Sequence, residues 1–310
     1  MQQIELKAFA KINLCLDVTG LLPNGFHQVE MVMQQILLHD DVFMEWAEDE
    51  PAEPFRIKLT TNRKYLPTDE RNLAYKAALL MYEKYGASRS GQLRIHIKKR
   101  IPVAAGMAGG SSNGAAVLHG LNVLWGLNLD VQSLCEIGQE LGSDVPFCIM
   151  GQAAACWALA DRFEKDPYAC HCAIATGTGT TMKPVKGLRA HLVLSKPPIS
   201  VSTAEVYKGI DEVDIPERPN LPELVAGLER KDMELIEKNM VNVLENYTLK
   251  RYPIVVYTKN KIKEHCSGNV LMSGSGPTVF GLCKSREEAQ TICDTMTKDN
   301  RESFWTRTTW

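Results

Sequence analysis

The stretch "IPVAAGMAGGSSNGAAVL", residues 101–118, is the most informative segment of the sequence. Four glycines lie among small polar residues, and the alanines and aliphatic residues behind them predict a helix from about Ser111 to Trp125. Glycines let backbone N–H groups approach a ligand closely, and a helix N-terminus offers unpaired donors with partial positive charge. Both features favour a bound phosphate, and Ser111 and Ser112 can cap the helix or donate hydroxyls to phosphate or Mg²⁺. Alone, the stretch fits an ordinary glycine-rich turn equally well, and it matches neither the P-loop nor the dinucleotide-binding pattern.

Composition places the chain among ordinary globular proteins. Its 310 residues are 45% hydrophobic and 23% charged, with a net charge of -2, so no global basic field points to nucleic acid. No apolar run is long enough to span a bilayer, and the N-terminus lacks the layout of a signal peptide. Nine cysteines, mostly in apolar surroundings, indicate reduced thiols, and "CHC" at 170–172 lacks the second ligand pair of a zinc site. We therefore expect a cytoplasmic protein without membrane or nucleic-acid partners.

The remaining pattern predicts an α+β protein of two domains, residues 1–160 and 161–310. Residues 6–18 alternate with period two, which predicts a strand with one face in a core and with Lys11 and Asn13 side by side on the other. "GLLPNGFH" follows as a loop with a Pro-Asn-Gly turn. "LERKDMELIEKNMVNVLENY", residues 228–247, predicts a helix. Strands in runs followed by helices, without strict βαβ alternation, favour the α+β class.

Two more features bear on function. "MSGSGPTVF", residues 272–280, is a second glycine turn between two predicted strands, which a structural hairpin explains equally well. Asp144 lies in "LGSDVPF", where it is not committed to an exposed helix face, and a helix N-cap is its ordinary role.

Together these residues resemble the GHMP kinase superfamily of ATP-dependent small-molecule kinases. The resemblance lies in "AKINLCL" at 10–16, "PVAAGMAGGSS" at 102–112 and "MSGSGPTVF", and it runs in order from about residue 5 to residue 297. It implies a ribosomal protein S5 domain 2-like N-terminal domain that binds ATP and an α/β-plait C-terminal domain on the substrate side. "AKINLCLDVTGLLPNGFH", "LGSDVPF" and "KPPISVSTAEVYKGID" narrow it to kinases that phosphorylate the 2-hydroxyl of 4-diphosphocytidyl-2-C-methyl-D-erythritol in non-mevalonate isoprenoid biosynthesis.

The resemblance also implies roles for individual residues. Asp144 aligns with the catalytic base and Lys11 with its partner lysine, which would keep the carboxylate ionised and stabilise the transferring phosphoryl group. Mg²⁺ is expected with ATP, with Ser111 or Ser112 as its candidate ligand. The residues implied to bind ATP are Pro102, Val103, Ala104, Ala105, Gly106, Met107, Ala108, Gly109, Gly110, Ser111 and Ser112.

Substrate recognition is implied for a third set of residues. An aromatic face and ring nitrogens suit cytosine, and the corresponding positions fall beside the loop at 20–27 and in "EVYKG". Taken singly, a surface loop histidine at 27 and a helix core residue at 207 would be the ordinary interpretations. The implied residues are Asn13, Phe26, His27, Ser202, Thr203, Tyr207, Gly274, Ser275 and Gly276. The implied partner is this small-molecule substrate, for a monomer or a homodimer.

One segment departs from the superfamily's pattern. A glycine-containing turn is common there after an alanine-rich strand, and this chain has "ALAD" at 158–161 instead. Alanines would need a different turn or a shifted strand end. The departure leaves open the hypothesis of a diverged GHMP kinase that acts on another small alcohol. A second hypothesis, from another class of function, is a non-catalytic nucleotide-binding paralogue. Retention of both Lys11 and Asp144 speaks against the paralogue, because a binding module needs neither.

Overall fold

The computed structural model describes residues 1–23, 25–48 and 55–310, and its residues group into two compact units. Neither unit is one continuous piece of chain. Unit 1 comprises Met1–Ala10, Leu38–Ile101 and Ala108–Cys170. Unit 2 comprises Lys11–Leu37, Pro102–Met107 and His171–Trp310. The units thus divide the chain differently from a single boundary at residue 160, which stays a prediction.

The predicted α+β class is confirmed, with ten strands and eleven α-helices in the described residues. The strands are β1 (Gln2–Leu21), β2 (His27–Glu48), β3 (Arg56–Thr61), β4 (Gly91–Lys98), β5 (Cys172–Gly177), β6 (Thr181–Pro184), β7 (His191–Lys196), β8 (Val270–Met272), β9 (Val279–Cys283) and β10 (Glu302–Arg307). The helices are α1 (Leu73–Tyr85), α2 (Gly109–Leu124), α3 (Val131–Gly138), α4 (Val145–Ala155), α5 (Ala160–Phe163), α6 (Thr203–Ile210), α7 (Leu221–Arg230), α8 (Met233–Lys238), α9 (Glu245–Arg251), α10 (Pro253–Lys263) and α11 (Arg286–Thr297).

Unit 1 packs helices against strands around α2. Within it, β4 pairs antiparallel with residues 41–48 of β2 and parallel with β3. Helix α2 contacts α1, α3 and α4, and most of its residues are buried because small side chains let neighbouring helices approach on several sides. Helix α1 is capped at its start by Asn72, whose side chain accepts from the Ala74 N–H, and at its end by Gly86.

Unit 2 contains a four-stranded antiparallel sheet in the order β10-β7-β9-β8. Helices α10 and α11 contact this sheet, and the fully buried Phe280 of β9 belongs to its core. In the same unit, residues 29–34 of β2 pair antiparallel with β5, which pairs in turn with β6. The predicted strand–turn–strand at 272–280 is confirmed, and α10 begins at Pro253.

Several expectations about elements are wrong. The strand over residues 6–18 has both faces buried along most of its length, so Lys11 and Asn13 lie inside the protein. Residues 228–247 do not form one helix, because α7 ends at Lys231 in the left-handed region and Asp232 caps α8. Strands β5, β6 and β10 were not predicted.

The "ALAD" segment is helical rather than a turn. Residues 157–159 form a 3₁₀ turn, and Ala160 begins α5 with φ -54°. A right-handed helix suits alanine, so the segment carries none of the strain that a glycine-shaped turn would impose. In the predicted loop after β1, Asn24 lies outside the described residues. None of the described helices has both the length and the apolar character needed to cross a bilayer.

Candidate active site

The glycine-rich loop has an alternating backbone conformation. Positive φ values occur at Ala104 (50°), Gly106 (70°) and Ala108 (56°), and the residues between them have negative φ. Successive N–H groups in such an alternation converge on one side and form a concavity that favours anions. Alanine adopts positive φ at a cost of about 1 kcal/mol or more, so two alanines held there are a strained, over-determined arrangement. The loop therefore has backbone geometry suited to phosphate.

Helix α2 begins differently from the prediction. Its N-cap is Ala108, not Ser111 or Ser112. The Ser112 hydroxyl is fully buried, where it donates to the Phe9 carbonyl oxygen (2.7 Å) and accepts from the Gln152 side-chain amide (3.1 Å). Without a capping side chain, the first N–H groups of a 16-residue helix keep their capacity to bind an anion.

A buried charge cluster lies beside this helix start within unit 1. The carboxylate of Asp40 accepts from the Lys99 ammonium (2.5 Å), the Asn113 side-chain amide (2.8 Å), and the backbone N–H groups of Arg100 (2.6 Å) and Ile101 (2.8 Å). Burial lowers the pKa of Lys99, against the raising effect of Asp40. A Cβ at Gly109 would lie 2.7 Å from Lys99 Nζ, so only glycine permits this close approach. The cluster thereby fixes the end of β4 to the first turns of α2.

In unit 2 the structure brings the two predicted glycine turns into contact. The Ser273 hydroxyl donates to the Gly106 carbonyl oxygen (2.9 Å), and a Cβ at Gly106 would lie only 2.1 Å from the Ser273 carbonyl oxygen. On the other side, the Lys11 N–H donates to the Met107 carbonyl oxygen (3.2 Å). Three separate motifs of the sequence therefore meet at Gly106 and Met107.

The side chains of Lys11 and Asn13, both on β1, hold each other in place. The buried Lys11 ammonium donates to Asn13 Oδ1 (2.8 Å), and Asn13 Nδ2 contacts the sulfur of Met31 (3.2 Å). A Cβ at Gly274 would lie 3.6 Å from the same Asn13 Oδ1. The predicted pairing of these two side chains is confirmed, and it orients the ammonium beside the second glycine turn of unit 2.

Asp144 lies in unit 1, where it directly precedes α4. It occupies the N-cap position with φ -83° and ψ -12°, but its side chain makes no capping hydrogen bond, and Pro146 stands in the first turn. A capping residue normally has extended backbone and a bonded side chain. The ordinary N-cap role therefore does not account for this carboxylate.

The predicted base-recognition residues of unit 2 form an aromatic corner. The rings of His27 and Tyr207 lie 5.3 Å apart between centroids, tilted by 42°. His27 Nε2 lies 3.0 Å from both carboxylate oxygens of Asp211, which fixes the ring's orientation. The preceding Phe26 is 65% exposed.

The serine and threonine residues expected near the substrate differ in the hydrogen bonds that their hydroxyls already make. Ser202 caps α6 by accepting from the Glu205 N–H (3.3 Å). The Thr203 hydroxyl lies 2.9 Å from that of Ser275, which joins α6 to the second glycine turn. Gly276 sits in the same turn with φ 85°.

Sequence reasoning missed three residues that organise these groups. Asp40 is marked only by its place in "HDD", Asp211 is the last residue of "KPPISVSTAEVYKGID" but has no implied role, and Asn242 has no motif around it. The Asn242 side-chain amide donates to the carbonyl oxygens of Met272 and Gly274, both at 2.8 Å, and so supports the second glycine turn.

The chain matches two family profiles described as "GHMP kinases N terminal domain", over residues 72–152, and "GHMP kinases C terminal", over residues 224–302. A protein of Alkaliphilus metalliredigens named 4-diphosphocytidyl-2-C-methyl-D-erythritol kinase is 42% identical over 297 residues, 96% of this chain and 93% of that one. A crystal structure of 4-(cytidine 5'-diphospho)-2C-methyl-D-erythritol kinase superposes with a TM-score of 0.78 at 28% identity, over 99% of this chain and all of that one. A homoserine kinase from Cytophaga hutchinsonii shares the fold, with a TM-score of 0.68 at 20% identity, over 100% and 95%.

Proposed function

The chain belongs to the GHMP kinase family, and from that premise we propose that it transfers the γ-phosphoryl group of ATP to the 2-hydroxyl of 4-diphosphocytidyl-2-C-methyl-D-erythritol. The observation that carries the choice of substrate is the aromatic corner of His27 and Tyr207 beside the exposed Phe26. An aromatic face stacks a base, whereas a small alcohol without a base gives these rings nothing to bind.

Backbone groups hold the triphosphate in this proposal. The alternating φ values at 104, 106 and 108 supply converging N–H groups, and the uncapped start of α2 supplies further donors. Mg²⁺ held with ATP would neutralise charge that develops on the transferring phosphoryl group. Of the two candidate ligands, Ser111 is favoured because the Ser112 hydroxyl already bonds to Phe9 and Gln152.

The chemical step assigned to the residues is a phosphoryl transfer. Asp144 accepts the proton of the substrate 2-hydroxyl, whose oxygen bonds to the γ-phosphorus while the bond to the β,γ-bridging oxygen breaks and ADP leaves. Lys11 contributes a positive charge that stabilises the transferring group. Its hydrogen bond to Asn13 supports this role, because a pre-oriented ammonium needs no reorganisation during the reaction.

The other substrate contacts involve hydroxyl and backbone groups. Thr203 and Ser275 face one another, so either hydroxyl can turn toward a diphosphate or a sugar hydroxyl. Asp211 holds His27, so the ring nitrogen opposite the carboxylate keeps a fixed direction for the edge of a base. The helical "ALAD" segment imposes no strain on alanine, which removes the reason to expect a different alcohol.

The test is coupled ADP release with ATP and Mg²⁺. The acceptors are 4-diphosphocytidyl-2-C-methyl-D-erythritol, mevalonate, homoserine and none. We expect turnover with the cytidyl substrate alone. Asp144→Asn should lower kcat by at least about a hundredfold while ATP affinity stays within about threefold of the unmodified protein, since the substitution removes only the proton acceptor. Turnover with another acceptor would contradict the substrate, and an active Asp144→Asn protein would contradict the base.

A further inference from the structure

Two cysteines and a carboxylate lie close together at the end of strand β9 in the unit 2 sheet. Cys266 follows α10, Cys283 ends β9, and Glu288 lies in the first turn of α11. The two sulfur atoms are 3.9 Å apart, and one ligand atom from each of the three residues lies within 4.8 Å of the others. None of the three residues belongs to the proposed kinase machinery.

The separation of the sulfur atoms matches a coordination geometry. In a tetrahedral zinc site with bonds of about 2.3 Å, two thiolate sulfurs lie about 3.8 Å apart. A disulfide would need the two sulfurs at about 2.05 Å. All nine cysteines of the chain are free thiols, and Cys170, His171 and Cys172, the other candidate cluster in the sequence, do not form such a group. The Cys266–Cys283 pair thus already has the spacing that a bound ion requires.

The carboxylate of Glu288 is held in a fixed orientation. One oxygen accepts from the Ser267 N–H (2.7 Å), and the other accepts from the Ser267 hydroxyl (3.0 Å) and the Lys284 N–H (2.8 Å). The first oxygen keeps a lone pair, since a carboxylate oxygen accepts two bonds. Hydrogen-bonded carboxylates of this kind are typical of metal ligands, because the outer bonds orient the inner one.

Charge and access also favour a cation. Glu288 forms no ion pair with a lysine or arginine in residues 1–23, 25–48 and 55–310, and its negative charge is stabilised by these hydrogen bonds and by the positive charge of Lys284. Cys283 is buried, whereas Cys266 and Glu288 are half-buried and give an ion a path from solvent.

We propose that Cys266, Cys283 and Glu288 bind one zinc ion, with solvent completing a tetrahedral site. On binding, Zn²⁺ forms bonds to two thiolate sulfurs and one carboxylate oxygen, and the two thiols release two protons to solvent. No oxidation is involved. The ion would join the ends of α10, β9 and the start of α11, so its effect is on the stability of unit 2.

The primary experiment uses the reduced full chain after treatment with a chelator. Zn²⁺ is titrated against a competing fluorescent chelator, and Co²⁺ replaces it for absorption spectroscopy. We expect one Zn²⁺ per chain, an intense thiolate-to-cobalt charge-transfer band, and a rise in Tm of at least about 3 °C at a hundredfold excess of Zn²⁺ over Kd. Because the spectrum is measured on the unmodified protein, it does not depend on any variant folding correctly.

Variants then assign the ligands. Cys266→Ser and Cys283→Ser should each weaken Zn²⁺ binding at least about tenfold and remove the Tm shift, whereas Cys135→Ser, a half-buried thiol of unit 1, should leave both unchanged. Kinase turnover without zinc should be the same in all four proteins. A Kd weaker than about 10 μM, a cobalt spectrum without the thiolate band, or Zn²⁺ binding that survives Cys283→Ser would overturn the proposal.

Discussion

Replacing Asp40 by asparagine tests whether its carboxylate holds together the start of helix α2. The substitution keeps the shape of the side chain and removes its charge. One oxygen remains to accept from the Arg100 and Ile101 N–H groups, while the new NH₂ group faces the Lys99 ammonium and the Asn113 amide, which are both donors. The fully buried side chain at position 40 would then leave the buried Lys99 ammonium without a negative partner.

The size of the loss follows from that charge. Removing one partner of a buried ion pair typically costs about 3–5 kcal/mol. The ammonium of Lys99 has an alternative, which is to lose its proton. From an unperturbed pKa of about 10.4 down to pH 7, that costs at most about 4.6 kcal/mol, and less here because burial already lowers the pKa of Lys99. We therefore expect Asp40→Asn to lower the free energy of unfolding by about 3–4 kcal/mol at pH 7.

Urea unfolding monitored by tryptophan fluorescence measures this loss, because Trp46 and Trp125 are buried in the same unit as Asp40. Adding Lys99→Met to Asp40→Asn removes the unpaired charge and should recover about 2 kcal/mol or more. Asp41→Asn is the matched control. Its partners Lys7 and Arg100 are 39% and 40% exposed, so it should cost only about 1 kcal/mol. A loss below about 1 kcal/mol for Asp40→Asn, or no recovery in the double variant, would show that the Asp40 carboxylate does not stabilise the start of α2 in this way.

Two further predictions concern other buried groups. Desolvation lowers the pKa of His119 to about 4 from 6.5, so on acidification the unfolded chain binds a proton at a higher pH than the folded chain does. The contribution of His119 to the free energy of unfolding is therefore fully present above pH 6.5, and it falls by about 3 kcal/mol as the pH drops to about 4. His119→Gln, which can still donate to the Ile149 carbonyl oxygen, should flatten this part of the pH profile of urea unfolding, and an unchanged profile would remove His119 as its source. Gly106→Ala places a Cβ 2.1 Å from the Ser273 carbonyl oxygen, so ATP affinity should fall at least about tenfold. The matched variant Gly126→Ala, also at positive φ but with open space around it, should leave ATP affinity unchanged, and equal effects of both would contradict a role for the contact between the turns.

The sequence predicts the features of this fold that are encoded locally. The period-two pattern of residues 6–18, the helix behind the first glycine-rich stretch, and the strands on either side of "GSG" all depend on neighbours in the chain. The same holds for the adjacency of Lys11 and Asn13, which are one pleat repeat apart and make the hydrogen bond expected of that spacing.

Other features depend on residues that are distant in the chain. Burial of Lys11 requires elements that cover the second face of β1, which no pattern within β1 records. Asp40 and Asn113 are 73 residues apart, and His27 and Asp211 are 184 apart, so neither pair leaves a local signal. The break of the predicted helix at 228–247 has the same origin, since Asn242 bonds to the backbone of a turn 30 residues later instead of continuing a helix.

Unit 1 ends at Cys170, and the last segment of unit 2 begins at His171, so the gene can be divided after codon 170. A fragment of residues 1–170 would contain all of unit 1, but also residues 11–37 and 102–107, which belong to unit 2. Those two segments would keep an unmatched strand edge at residues 29–34, which pairs with β5, and an unmatched carbonyl at Gly106, which accepts from Ser273. The partner fragment, residues 171–310, carries both complements. Two inactive polypeptides made separately would thus be able to reassociate through these unpaired groups. Recovered phosphorylation would then measure their association, as in a split reporter enzyme.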